Sequence, residues 1–181
     1  DIICFINQYN TIVLDTEENI IKKFNETIKT YNMNKTNHIL FSKLKKPLNI
    51  YEKYNQDKMF PRFDNYHIDT RLFIGSVNAI SNFWIEYDKN LNQKNSYHSF
   101  VHNMALDPIL NTNKKNSNNF KLIVKAEKTK TKVKIDILNK FFYNYSDRDS
   151  IIFNNKIIIN GETPLIVSGY DFLTSSYLSF N

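Results

Sequence analysis

The chain has 181 residues, a formal net charge of +6, and 41% hydrophobic and 14% aromatic content. That length and apolar load support a buried core and exclude a disordered chain, which lacks the apolar surface to offset its conformational entropy. Cys4 is the single cysteine, which excludes an internal disulfide and a cysteine-built metal cluster, and no apolar run approaches the roughly 20 residues that cross a bilayer as a helix.

The basic charge carries less information than its size suggests. The chain holds 27 Asn, 23 Ile and 21 Lys against three Arg (Arg62, Arg71 and Arg148). This is the pattern expected of an AT-rich genome, as in some parasites and viruses, and that expectation discounts the lysine excess as a nucleic-acid signal. Asp1 stands where a start methionine would, so the chain is expected to be an excised or mature product. N-x-[ST] sequons occur at Asn25, Asn34 and Asn144, and with this much Asn such matches arise by chance.

In chain order, residues 2–6 and 11–14 are β-branched apolar runs separated by Asn7-Gln8-Tyr9-Asn10, which reads as a hairpin. A helix follows, with Asp15 as its N-cap, Glu18 three residues on, and Ile20, Ile21, Phe24, Ile28 and Tyr31 on one face, ending near Tyr31. Cys4 lies inside an apolar strand and reads as a small core residue. His38–Leu44 reads as a strand stopped by Lys45-Lys46-Pro47. Residues 47–70 read as an irregular connector carrying Tyr51, Tyr54, Met59, Phe60, Phe63 and Tyr66.

Leu72–Ile80 and Phe83–Asp88 suggest a second hairpin around Ser81-Asn82, with Trp84 and Glu86 on one face. A short helix is expected within Ser96–Leu106, ended before Pro108. Residues 111–119 are low-complexity and are expected to form a mobile surface loop. Strands are expected at 120–126, 132–138, 164–167 and 172–178. Ile151–Ile159 reads as a tight hairpin, and Asn160-Gly161 as a further turn. The expectation is one α+β domain over 1–181, with an antiparallel or mixed sheet built from hairpins and one or two packed helices.

Three patterns bear on function. Alternation puts Lys128, Lys130, Lys132 and Lys134 on one face of a strand, where they could bind phosphates or an anionic surface, or protect a sheet edge from aggregation. The connector aromatics Tyr51, Tyr54, Phe60, Phe63 and Tyr66 either cover core edges or form a protein-binding surface. His98 and His102 are spaced for one helical face, as in zinc-binding helices, although no Glu follows the first His.

Gly75, Gly161 and Gly169 are too far apart for a P-loop or a dinucleotide fingerprint, and no Gly-x-Ser-x-Gly occurs, so no cofactor and no catalytic motif are expected. The leading expectation is a non-enzymatic interaction module that binds a protein partner or belongs to a larger assembly. The alternatives are nucleic-acid or anionic-surface binding through the lysine-faced strand, and a metal-dependent hydrolase using His98 and His102.

Overall fold

Strand β1 (Ile2–Ile6) shows at once why the elements do not follow sequence order. The computed structural model describes residues 1–6, 11–44, 67–91, 97, 100, 101, 104, 131–145, 149–153 and 156–169. Within them β1 pairs with β4 (His67–Ser76), and β2 (Thr11–Val13) pairs with β9 (Ile166–Gly169), both antiparallel. The two runs expected to form one hairpin therefore enter different sheets. For β1 the cause is the length of ladder on offer: all five of its residues pair along β4, where β2 has only three.

The remaining elements are helix α1 (Glu17–Thr30), β3 (His38–Leu44), helix α2 (Val77–Asn90), β5 (Lys132–Ile135), β6 (Phe142–Tyr145), β7 (Ile151–Phe153) and β8 (Ile157–Ile159). One sheet has the order β1-β4-β3-β5, a second β2-β9-β6, and β7 and β8 form a hairpin. The β3–β5 and β6–β9 pairs are parallel and the others antiparallel. The fold is α+β with mixed sheets.

The four-stranded sheet is covered on both faces. On one side Ile39, Phe41, Phe73 and Val133 pack against Ala79, Ile80 and Phe83 of α2, and against Phe100, Val101 and Met104. Those three and Tyr97 have helical backbone at the spacing of one helix face, as expected for a short helix in this segment. On the other side Leu40, Leu72 and Ile74 meet Phe24 of α1 together with Phe141 and with Phe142 and Ile166 of the second sheet. A third cluster, with Tyr143, Ile157, Ile159 and Val167, seats the β7–β8 hairpin.

The region expected as a second hairpin is instead a strand followed directly by a helix. Ser76 closes β4 and its Oγ accepts the Ala79 N–H at 3.1 Å, so one side chain ends the strand and caps α2. Ile80, Phe83 and Tyr87 then repeat with helical, not strand, period. The strand also begins earlier than expected, because residues 67–70 belong to β4 and not to the connector. At Gly75 a Cβ would lie 3.3 Å from side-chain carbons of both Ile39 and Ile80, so the missing side chain lets α2 settle on the sheet.

Helix α1 runs as expected from its apolar spacing, but its cap differs by one residue. Thr16 Oγ1 accepts from the Asn19 N–H at 3.4 Å. Asp15 accepts from the Asn19 amide and the Thr16 N–H, which together hold its carboxyl below the usual range. The helix ends in a Schellman turn: Asn32 at φ 49° donates to Lys29 O, and Met33 donates to Ile28 O. Burial pushes the Cys4 thiol up to about 12, so it stays protonated at neutral pH, as suits a packed residue.

The expected strand 132–138 stops at Ile135, because Asp136 turns the chain inward. Its side chain is fully buried. Oδ1 accepts from Tyr31 Oη at 2.6 Å and the Lys140 N–H at 3.0 Å, while Oδ2 accepts from the Phe141 and Phe142 N–H groups at 2.7 and 2.8 Å. Tyr31 Oη in turn accepts the Leu138 N–H at 3.0 Å. Burial, with the Asp136 carboxylate beside it, pushes the Tyr31 phenol well above its ordinary value.

The β7–β8 hairpin stands as expected, with Ile151 opposite Ile159. Asn160 and Gly161, at φ 51° and 82°, form the tight turn after it. The expected closing strand at 164–167 is β9, shifted to Ile166–Gly169. The expected loop at 111–119 and the expected strands at 120–126 and 172–178 lie outside the described residues.

Asp136→Ala leaves two buried and two partly buried donors without their acceptor, and at about 1–3 kcal/mol for each fully buried unsatisfied group this is expected to remove a large share of the stability of a domain this size. Urea denaturation followed by circular dichroism checks it, with Tyr31→Phe, which removes one donor, expected to cost far less.

Candidate functional sites

Strand β5 lies at one edge of the four-stranded sheet. Val133 is buried against the α2 layer, so alternation sends Lys132 and Lys134 to the opposite face, Lys132 exposed and Lys134 half-buried. Lys128 and Lys130 lie outside the described residues. The parallel register sets Lys132 beside His38 and Lys134 beside Leu40, and the Lys132 N–H donates to Asn37 O at 2.7 Å. The two described lysines thus meet a third basic group, the His38 imidazole.

His38 is 8% exposed and sits at the start of β3, where its Nδ1 accepts the Asn34 N–H at 2.9 Å. Burial lowers its pKa below the ordinary value. Contact with the Asn34 backbone opposes that shift, and the charges of Lys132 and Lys134 reinforce it. The imidazole is therefore held neutral near pH 7, and the cationic face of β5 consists of the lysines alone.

A second polar constellation joins the two sheets. Opposite Phe41/Ser42 of β3, strand β4 bulges: Phe41 pairs with Phe73 but Ser42 pairs with Asp69. The bulge turns Asp69, fully buried, toward the second sheet. Arg71 Nε and Nη2 grip its two oxygens at 2.9 and 3.2 Å. Asn144 of β6 donates its amide to Asp69 Oδ2, Ser42 Oγ and Lys43 O, and its carbonyl accepts from Ser168 Oγ at 2.8 Å. Every group in this cluster has a partner, which fits a structural tie better than a reactive centre.

The third feature is apolar and has no counterpart among the sequence-based expectations. Helix α2 buries Ala79, Ile80 and Phe83, yet Val77, Trp84 and Leu91 are 40, 38 and 48% exposed, with Ile85 beside Trp84 at 50%. A spacing of seven is close to two helical turns, so these residues form a second stripe beside the buried one. Trp84 is supported from within: its ring stacks on Tyr97 at 5.5 Å and meets Tyr87 edge-on at 5.8 Å. The Val77 N–H donates to Asp1 O, which brings the start of the stripe to β1, where Ile3 and Phe5 are also exposed. The signal is present in the sequence as the i, i+7 spacing after a Ser cap, masked by the alternation at 83–87.

The other predicted site residues are not brought into view. Tyr51, Tyr54, Phe60, Phe63 and Tyr66 lie outside the described residues, as do His98 and His102. Among the described residues no group of three His, Cys, Asp or Glu could hold a metal ion. Glu86 of α2 accepts the Thr131 N–H at 3.4 Å. Among the described residues no helix is long and apolar enough to cross a membrane. No protein-family model, curated protein or solved structure matches the chain.

His38 generates a pH prediction. Its folded pKa lies below the unfolded value of 6.5, so the unfolded chain takes up the proton first and stability falls as pH drops below 6.5. Urea midpoints of the wild type are expected to fall between about pH 7 and pH 5, and those of His38→Gln to fall less. Parallel curves for the two proteins would overturn this.

Proposed function

We propose that the chain is an interaction module that binds a protein partner, or takes its place in a larger assembly, through the outer stripe of α2. One observation carries the reading: a helix already anchored by one apolar face presents a second, of Val77, Trp84, Ile85 and Leu91, to solvent. Scattered exposed apolar side chains are ordinary, but a row of them aligned along one helix around the only tryptophan has the composition of a protein-binding surface. Trp84 is held in place by the Tyr87 and Tyr97 rings, so little side-chain freedom is lost on docking.

The stripe is expected to be the partner's contact. Ile85→Lys with Leu91→Lys should leave the circular dichroism spectrum unchanged and abolish capture of whatever partner the wild type retains. Trp84 fluorescence should shift to the blue and lose acrylamide quenching when that partner binds. A wild-type chain that stays an inert monomer, or a partner held equally by the double variant, would sink the proposal.

A second reading rests on β5. Lys132 and Lys134 share one face at a sheet edge, and binding of nucleic acid or another anionic surface there would be salt-dependent. Heparin retention is the check. Lys132→Glu with Lys134→Glu should reduce the slope of log affinity against log salt by about 2, at roughly 0.9 for each anionic group that the lysines no longer neutralise. Retention that does not change with salt excludes this reading.

A further inference from the structure

The three Asn-x-Ser/Thr sequons sit in three different local structures, and among the described residues only that of Asn34 exposes both its asparagine and the hydroxyl residue at i+2. Asn25 lies in the middle of α1, where residues i and i+2 point about 200° apart around the axis, so Thr27 cannot reach back to it. Thr27 is 2% exposed and gives its hydroxyl proton to Lys23 O at 2.7 Å. Asn144 points into the junction of the sheets, its amide donating to Ser42, Lys43 and Asp69. Asn25 is itself exposed, but the hydroxyl of its sequon is buried and committed, and the Asn144 amide nitrogen is already engaged.

Asn34 differs on each count. Asn34, Lys35 and Thr36 are all exposed, in the turn between α1 and β3. Asn34 Oδ1 accepts both the Thr36 N–H at 3.0 Å and the Thr36 hydroxyl at 2.7 Å. Among the described residues no hydrogen bond holds its Nδ2. The turn itself is fixed by its main chain: Asn34 O accepts from the Asn37 and His38 N–H groups, and the Asn34 N–H donates to His38 Nδ1. The hydroxyl at i+2 therefore already polarises the amide carbonyl while the nitrogen faces solvent.

We propose that Asn34 is a site of N-linked glycosylation, and that it is the one sequon of the three that the folded chain can offer. The donor is an oligosaccharide joined to a polyprenyl diphosphate. A bond forms between Asn34 Nδ2 and the anomeric carbon of the first sugar. The bond from that carbon to the diphosphate oxygen breaks, the polyprenyl diphosphate leaves with the electron pair, and Nδ2 gives up one proton to a base of the transferase. Donation from Thr36 to Oδ1 favours the amide form that can lose that proton. A glycan there projects from the helix–strand turn, in a segment whose side chains already face water.

The test uses the folded 181-residue chain with a purified oligosaccharyltransferase and its polyprenyl-diphosphate donor, and a free Asn-x-Thr peptide as a control for enzyme activity. Intact mass should rise by one glycan, and peptide mapping should place it at Asn34. The increment should be lost in Asn34→Gln and in Thr36→Ala, which leaves the acceptor amide in place, and retained in Thr36→Ser, which keeps the hydroxyl. An unmodified chain under conditions that glycosylate the control peptide would overturn the proposal. So would a glycan on Asn25 or Asn144 of the folded chain, or one on Asn34 that survives Thr36→Ala.

Discussion

The arrangement of layers depends on the Asp136 carboxylate. A buried charge is costly unless donors replace the water it has lost, and this one is given four: from the phenol that follows α1, from the turn after β5, and from Phe141 and Phe142 at the entry to β6. Its own N–H donates to Phe41 O of β3 at 2.8 Å. One residue therefore fixes where the first sheet ends, where the second begins and where α1 lies between them. Apolar packing of Phe24, Leu40, Phe141 and Ile166 favours burial in general, but would tolerate a shift of register that the carboxylate does not.

Asn144 repeats this logic at the other end of β6. Its amide reaches three acceptors on β3 and β4, and its carbonyl takes the Ser168 hydroxyl from β9. The β4 bulge exists in the same geometry, since without it Asp69 would not stand opposite Ser42. Each polar tie spans strands far apart in sequence, so each supplies the specificity of pairing that parallel β3–β5 and β6–β9 ladders need when no hairpin sets their register.

This division explains what is legible in the sequence. Elements with an unbroken local signal are legible: α1 from its 3.6-residue apolar period, β3 from its run and its Lys-Lys-Pro stop, the β7–β8 hairpin from Asn-Asn between isoleucine runs. Partnerships are not, because β1 and β2 are equally apolar and nothing local says which distant strand each will join. The segment 72–87 misleads because a β-branched strand runs straight into an apolar helix, and five residues of alternation at 83–87 imitate a strand. Only the Ser76 cap marks the change. The same imitation hides the outer stripe of α2, since Trp84 and Ile85 stand on opposite faces in a strand but are neighbours on a helix.

The Asn-rich composition, which first reads as noise from codon use, fills structural roles that glycine fills in most chains. Asn32, Asn139 and Asn160 all have φ near +50°, ending α1, turning the chain after β5 and opening the turn after β8. Asn enters the left-handed region at lower cost than other side chains, because its short amide can bond locally. With only three glycines in 181 residues, such turns fall to asparagine. At Gly169, φ +137°, no Cβ fits, because it would run into the Tyr145 backbone in the β6–β9 ladder. The bias that weakens a reading of the lysines thus leaves the asparagines informative, because a positive φ is a demand of the backbone and not of the genome.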